Sequence, residues 1–574
     1  MKRKSEPNAS DRVYEICIFR SEAIMSRTPL FAAVKRALAL ASRDNSIVWP
    51  RSSALTRRRM MGLSAAAAGA AVLSPMLDWS AYAKKEQPKG PIAIVGGGIA
   101  GLTAAYRLHA TGATPIVFEA SNRWGGRMFS RCNFYNGMFC ELGGELVDTN
   151  HDDLLNLLDE FCLKEQELGV EHEGEVLYFV KGNFRFNKDL LDPKTQRGAF
   201  VPIAKRVKAD AKNLGGPGHW TDHARDLDNR SLKDYLESFR GKTEDWVIDL
   251  LDMAYVGECG LETEDLSSLN LVDTIGTALN KPFEIFGDSD EAYRIEGGSS
   301  KLIEALVDAL KDKIEMNRGY ALTGIDDEDG RIALSFNSSG RAQQRTFDAV
   351  ILALPFTCLR KVEGLNNLDL SKEKLKCINE LGMGHNAKIM VGTTSRVWRN
   401  PESKLPAPSD GSFVTDLGFQ DVWETSDGQP GKAGILTVFL GGKAALTDEK
   451  SALAAFRAGL AKMSPKMAES LDLKAVTSFF WSDYPYTLGS YTAAKVGQYT
   501  TMLDEAGKAA LGGRLQFAGE HTSGAKYFGY MNGGVRSGNI AAENLLKIMA
   551  LPSQHAKSCS VKDRESARCW SPEF

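Results

Sequence analysis

The 574-residue sequence predicts an α/β protein built on a Rossmann-like dinucleotide-binding domain. Three observations carry that prediction. PIAIV at 91–95 is an apolar, β-branched run suited to a buried parallel strand, and behind it Ile99, Leu102 and Tyr106 fall at i, i+3 and i+7, the spacing of one helix face. Between them stands Gly96-x-Gly98-x-x-Gly101, and the next apolar strand, PIVFE, ends on Glu119, 18 residues past Gly101. Finally, a second glycine-rich stretch, LQFAGEHTSGAKYFGYMNGGVRSGNIAAENLL at 515–546, runs into an amphipathic helix more than 400 residues later, as if both ends of the chain wrap one ligand.

Each residue of the first motif has its own physical task. Gly96 makes the tight turn, Gly98 lets the backbone approach a pyrophosphate, and Gly101 lets helix and strand pack closely. The helix N-terminus then presents free N–H groups and its positive dipole end to the phosphates. Glu119 stands where a carboxylate binds ribose hydroxyls, and an acid there argues against a 2′-phosphate.

Composition bounds the remainder. With 43% hydrophobic and 25% charged residues the chain is globular and long enough for two or more domains. A net charge of -3, from 70 basic and 73 acidic residues, gives no global attraction to nucleic acid and leaves small molecules as the default ligands. Nine scattered cysteines without paired short spacings indicate neither a zinc site nor a disulfide framework. The first 89 residues differ from the rest. Arg57, Arg58 and Arg59 precede an alanine-rich apolar run ending in Ala81-Tyr82-Ala83, the layout of a twin-arginine export signal with a cleavage site. The expected location is therefore periplasmic or secreted, with a cytoplasmic or organellar location as the alternative. The tail 551–574 is polar and offers no membrane anchor.

From Glu119 onward the chain reads EASNRWGGRMFS, with Arg123, Gly125, Gly126 and Arg127, and then ELGGELVD at 141–148, with Gly143 and Gly144. Here it resembles the flavin-containing amine oxidase family, whose members carry E-A-x-x-R-x-G-G-R after the first βαβ unit. Two further blocks, YRIEGGSSKLIEALVDAL at 293–310 and DAVILALPFTCLR at 348–360, are similar to family segments. The resemblance implies FAD, with Arg127 along the cofactor and the Leu322 backbone at its adenine end. It also implies a discontinuous FAD domain (90–164, 291–374 and 511–550) interleaved with a substrate domain of mixed sheet and helices (165–290 and 375–510).

The chemistry implied by the resemblance rests on three blocks. GHNAKIMVGTTSRVW at 384–398 is similar to the block whose lysine bonds through water to flavin N5, and Lys388 matches that lysine. FFWSDYPYTLGSYTAAKVGQYT at 479–500 places Ser490 where animal monoamine oxidases carry the flavin-linking cysteine, so non-covalent FAD is expected; Tyr491 matches one substrate-facing tyrosine and Trp481 the upstream tryptophan. In the 515–546 block, Gly519 and Glu520 would meet the cofactor and Tyr530 would be the second aromatic wall. His109 and His521 are left without a role.

The expected activity is oxidation of an amine to an imine, hydrolysed to aldehyde and ammonia, with O2 reduced to hydrogen peroxide. L-amino acid oxidase activity is the alternative, followed by a flavin desaturase or isomerase and a non-catalytic flavoprotein. Snake-venom-type L-amino acid oxidases hold the substrate carboxylate with an arginine in E-L-G-A-M-R-I-P, and this chain has Leu146 in its place with Glu145 beside it. That substitution favours a substrate without a carboxylate, unless an arginine in 196–240 serves. Glu145, Glu258 and Glu262 are candidates for a distal ammonium but read as solvated surface acids. Oligomeric state is not legible in the sequence, and a homodimer is one allowed assembly.

Overall fold

The computed structural model describes residues 90–549 apart from 170–173, 276–278, 281–284 and 286–288. The export signal read at 56–85 and the polar tail at 551–574 lie outside the described residues.

The first βαβ unit forms as its pattern requires. Ile92–Val95 is buried at every position and is followed by the helix Ile99–Ala110 and the strand Ile116–Glu119. These strands belong to a five-stranded sheet ordered 316–318, 116–119, 92–95, 349–352 and 515–517, in which every pair is parallel. Ala349–Leu352 is likewise buried throughout, as expected where both faces of a parallel sheet are covered.

The two ends of the chain meet on this sheet. The long helix Met531–Met549 crosses Ile99–Ala110, and small residues allow the backbones to approach. A Cβ on Gly538 would stand 2.4 Å from the Ala100 carbonyl oxygen, and one on Gly534 2.7 Å from Ile99 Cγ2. An antiparallel meander, Tyr320–Glu328, Arg331–Ser338 and Arg341–Phe347, follows the strand 316–318.

A second, seven-stranded sheet is ordered 471–480, 386–393, 434–441, 421–424, 409–415, 175–180 and 183–185. Only the pair 409–415 with 175–180 is parallel. Along Asn386–Thr393 the pleat sends Ala387, Ile389 and Val391 into an apolar cluster with Leu177, Trp398 and Phe413. Asn386 and Lys388 consequently face the other way. Several helices cover that side, among them Val201–Ala211 and Asp245–Cys259; the latter stops at Gly260 in the left-handed conformation (φ +68°). No helix among the described residues is long and apolar enough to cross a membrane.

Candidate active site

A cavity of about 1300 Å³ opens between the two sheets, lined by the Gly96–Gly98 turn on one side and by Lys388, Val422 and Phe439 of the seven-stranded sheet on the other. Every residue matched from the sequence to the cofactor or to catalysis borders this cavity except Gly101. A Cβ on Gly101 would lie 1.9 Å from the Gly96 carbonyl oxygen and 3.2 Å from Ile94 Cγ2, so its task is packing of helix on strand.

At the turn, Gly96 has φ +113° and its Cβ position is 2.4 Å from the Ala353 carbonyl oxygen, which requires glycine twice over. At Gly98 the nearest atoms to an added Cβ are Gly126 Cα at 3.8 Å and the Gly125 oxygen at 4.0 Å, leaving open space at the helix N-terminus. The Glu119 carboxylate accepts the Gly97 N–H (2.7 Å) and the Ser121 N–H (2.8 Å), which fixes it at the cavity wall with lone pairs to spare. An open glycine cradle, a helix N-terminus and an oriented carboxylate are what a dinucleotide needs, so these residues fit FAD. Leu322, on the meander, borders the same end.

Further along, Arg127 donates to Glu520 (2.6 Å) and to the Ser490 carbonyl (2.9 Å). Glu520 also accepts from Thr492 Oγ1 (3.1 Å) and the Gly529 N–H (2.7 Å), tying three distant segments together. Burial pushes its carboxyl upward, but Arg127 and these bonds outweigh it and hold it below the usual carboxylate range. Gly519 (φ +132°) is bonded through its N–H to Ser537, with His521 filling its Cβ position. Trp481 pins the 141–148 loop through Nε1 to the Leu142 carbonyl (3.0 Å). In that loop, Cβ atoms on Gly143 and Gly144 would strike the Arg127 carbonyl oxygen (2.0 Å) and Met531 Sδ (2.7 Å). Ser490 donates its hydroxyl to Asn386 Oδ1 (2.6 Å).

Lys388 is 6% exposed and its ammonium is held by the Gly143 carbonyl (2.9 Å) and the Glu145 carboxylate (2.9 Å). Glu145 is itself 5% exposed. This corrects the sequence reading, in which Glu145 was a solvated acid; the lysine supplies the partner that lets a carboxylate be buried. Trp423 adds its ring face 5.0 Å from the ammonium.

Tyr491 and Tyr530 face one chamber. The Tyr491 hydroxyl donates to the Glu258 backbone carbonyl, and the Tyr530 ring lies 4.9 Å from the His151 ring. Gly529 lets their segments approach, since a Cβ there would be 3.7 Å from Tyr491 Cδ2. Burial, and then the Glu258 charge, raise both phenols, so they stay neutral.

The chamber also contains acids that the sequence reading missed. Glu258 borders it, correcting its surface assignment, together with Asp148, Glu291 and Asp421. Burial pushes Glu258 up to about 7, with the Asp148 charge adding to it; Glu291, whose surface is open to the cavity, is raised in the same direction with Glu258, Asp148 and Asp421 beside it. His151 accepts the Asp148 N–H at Nδ1 (3.0 Å) and sets Nε2 3.3 Å from the Asp148 carboxylate. Asp148 lay in the quoted ELVD segment, but nothing local distinguishes Glu258, Glu291 or Asp421, whose convergence is a property of the fold. Glu262 does not border the cavity and lies beside Lys443 (3.6 Å). His109 and His521 do not line the cavity; burial lowers His521 to about 3 despite the Glu520 charge.

Among the described residues lining the cavity Arg127 is the sole arginine, and its guanidinium is paired. The arginines of 196–240 lie elsewhere, with Arg206, Arg225 and Arg240 each bound to a nearby acid.

Comparison with known proteins places this geometry. The chain is 24% identical over 488 residues to an L-amino-acid oxidase of Crotalus adamanteus, covering 80% of this chain and 88% of that one. An L-amino-acid oxidase of Bungarus fasciatus is 23% identical over 495 residues, covering 82% and 89%. A putrescine oxidase bound to putrescine shares the fold, with a TM-score of 0.67 at 20% identity over 80% of this chain and 99% of that chain. Cyclohexylamine oxidase from Brevibacterium oxydans superposes with a TM-score of 0.65 at 21% identity, covering 81% and 100%. The sequence profile described as flavin containing amine oxidoreductase matches residues 99–546, which take in the seven-stranded sheet and the cavity lining apart from Val95, Gly96 and Gly98, and the chain belongs to that family of oxidoreductases.

Proposed function

We propose that this protein oxidises an amine lacking an α-carboxylate, using non-covalently held FAD and O2 and releasing hydrogen peroxide. The observation that carries this reading is the chamber itself: two neutral tyrosines face it, acids border it, and its one lining arginine is already paired. When bound, FAD supplies the two-electron chemistry, accepting a hydride from the substrate α-carbon and passing the electrons to O2.

The residues of this chain hold and orient the reactants. Glu119 accepts ribose hydroxyls, and the Gly98 cradle with the helix behind it receives the pyrophosphate. The Tyr491 and Tyr530 faces attract an arriving ammonium, narrow the slot, and exclude water from the reacting carbon. Lys388 keeps a fixed cation near the position where negative charge develops on oxygen, with Glu145 setting its orientation. The helix Met531–Met549 begins at the cavity wall, where its dipole favours negative charge. Ser490 has no thiol to link to a flavin, and its hydroxyl is committed to Asn386. Residues 90–164, 291–374 and 511–550 we assign to the cofactor half and 165–290 with 375–510 to the substrate half.

Anaerobic mixing of the purified protein with amines and with their α-carboxylated counterparts tests the reading. Bleaching of the flavin by the amines is the expected result, and bleaching by amino acids alone would replace it. L-amino acid oxidation stands as the second reading because the relatives above are L-amino-acid oxidases and exposed Lys526 borders the cavity as a carboxylate partner. Acid precipitation should release the flavin into the supernatant; flavin retained in the pellet would refute non-covalent binding. Export by the twin-arginine route we also propose, tested by whether replacing Arg57 and Arg58 with lysine retains the protein in the cytoplasm.

A further inference from the structure

We infer that Asp148 is the catalytic base of the oxidation: it takes from the arriving substrate ammonium the proton that must leave before the α-carbon gives up hydride, with His151 and Ser289 as its positioning residues. The inference rests on the amine-oxidase reading above and deepens it.

The reaction needs such a group. An alkylammonium loses its proton near about pH 10.4, so at pH 7 only about one molecule in 2,500 is the neutral amine whose nitrogen lone pair can drive hydride off the α-carbon. Lys388 cannot receive the proton, because its ammonium is committed to the Gly143 carbonyl and to Glu145.

Asp148 is built to receive it. The residue is 4% exposed and borders the chamber. Its Oδ1 accepts the Ser289 hydroxyl (3.0 Å) and the Glu291 N–H (2.8 Å). Next to it, Thr149 gives its N–H (2.9 Å) and its hydroxyl (2.7 Å) to Asp290, so residues 148–149 are clamped to 289–291. His151 completes the frame. Burial keeps its imidazole neutral, and because Nδ1 accepts the Asp148 N–H (3.0 Å), the ring proton sits on Nε2, 3.3 Å from Asp148 Oδ2. Oδ1 therefore holds the two short bonds, and Oδ2 keeps a lone pair for the substrate.

This frame is joined to the tyrosine pair. The Tyr530 ring stands 4.9 Å from the His151 ring, and Ser289 is also hydrogen-bonded to the Tyr530 phenol. Across the slot the Tyr491 hydroxyl is bound by the carbonyl of Glu258, whose side chain feels the Asp148 charge. An ammonium drawn between the two rings thus arrives beside Asp148. The groups facing this carboxylate are His151 from its own loop, Asp290 and Glu291 from the clamped segment, Glu258 from the helix Asp245–Cys259, and Tyr530 at the start of the last helix. Burial, with Asp290 adding to it, raises the Asp148 carboxyl above its ordinary range against the pull of its donors, which makes it a stronger base. Glu258 and Asp421 have no comparable frame: burial and a neighbouring carboxylate act on them, favouring their protonated forms.

The transfer breaks one N–H bond of the ammonium and forms one O–H bond at Oδ2. Two enclosed charges become two neutral groups, the favourable direction where water is excluded. Hydride then leaves the neutral amine for bound FAD, as proposed above.

The test uses the FAD-loaded full chain in two arms. In the first, α,α-dimethylhexylamine, which has no hydrogen on its α-carbon, reports binding alone through the flavin absorbance. In wild type its dissociation constant should stay flat from about pH 7 to pH 9, because the proton moves within the complex. In Asp148→Asn the neutral amine must be selected from solution, so the constant should fall about tenfold per pH unit over that range. Asp148→Glu restores a carboxylate and should return the flat profile. In the second arm, hexylamine, butylamine or benzylamine is used, whichever bleaches the flavin fastest. Asp148→Asn should slow that bleaching at pH 7 by about 100-fold or more, the deficit shrinking as pH rises. Ser289→Ala should keep the flat binding profile and slow bleaching by about 10-fold or less. Asn retains the oxygen that receives Ser289 and Glu291, so the variant should fold, checked by the thermal midpoint of the apoprotein. A binding profile in Asp148→Asn as flat as wild type, or a rate deficit that does not change with pH, overturns the inference while the oxidase reading stands. If no amine bleaches the flavin, the oxidase reading fails; a flat wild-type profile against a sloped Asp148→Asn profile would still assign the proton to Asp148, and parallel profiles or absence of binding would refute it.

Discussion

Replacing Gly98 with alanine separates the demands of the cofactor from those of the fold. The Gly98 backbone has φ -78° and ψ -179°, a conformation any residue adopts, and the added Cβ would meet nothing closer than Gly126 Cα at 3.8 Å. The apoprotein should therefore keep its stability to within about 0.5 kcal/mol. The methyl group projects into the cradle assigned to the pyrophosphate, so bound cofactor must shift or lose contact. An overpacking penalty of about 1–3 kcal/mol corresponds to a roughly 5- to 150-fold weaker FAD affinity. Gly101→Ala is the contrasting case. Its Cβ would lie 1.9 Å from the Gly96 oxygen, where ordinary contact begins at 3.4 Å, so helix and strand must separate by 3.4 - 1.9 = 1.5 Å. That distortion should lower the stability of the apoprotein itself by about 2 kcal/mol or more. Thermal unfolding of the apoproteins and FAD titration by fluorescence distinguish the two. Wild-type FAD affinity in Gly98→Ala would refute placement of the cofactor over this turn.

Lys388→Met leaves Glu145 buried without its partner and should destabilise by about 3 kcal/mol, whereas adding Glu145→Gln should recover much of that loss without restoring activity. Stopped-flow kinetics of the double variant should show flavin reduction retained and reoxidation by O2 slowed by about 10-fold or more; unchanged reoxidation would remove Lys388 from the oxidative half. Arg127→Leu strands Glu520, which is 6% exposed, and should lower both thermal stability and flavin content, measured as the flavin-to-protein absorbance ratio. The Glu258 pKa stands above its unfolded value, so the folded protein holds a proton that the unfolded chain has lost. Its favourable contribution is present below about 4.5 and is lost as pH rises through about 7. The thermal advantage of apo Glu258→Gln over wild type should accordingly grow between about pH 5 and pH 8, and a difference independent of pH would contradict the burial of that carboxylate.

How much of this was legible in the sequence depends on the scale at which each feature is encoded. The nucleotide turn is local: Gly96, Gly98, Gly101 and Glu119 lie within 24 consecutive residues, and each is dictated by backbone geometry that a short pattern expresses. Lys388 was legible only through the block around it. The pleat of Asn386–Thr393 turns it to the cavity, yet a lysine inside an otherwise apolar strand reads equally well as an edge residue. Its partner was not legible at all. Glu145 and Lys388 are 243 positions apart, and an acid beside Leu146 looks solvated until the second sheet closes over it. The acids bordering the chamber are further removed still, since Asp148, Glu258, Glu291 and Asp421 share no spacing and no motif.

The electrostatics of the cavity divide into a part set by motifs and a part set by the fold. At the cofactor end, fixed positive charge and dipole are set by motif residues: Arg127, the helix behind Gly98, and the start of Met531–Met549. A shared cofactor fixes those features for any substrate. At the other end the Lys388 charge is matched by Glu145, as that of Arg127 is by Glu520, and Glu258 and Asp421 border the chamber with their carboxyls raised by burial. The acids bordering the chamber have no local signature because they converge from segments that the fold, and not the motif, brings together.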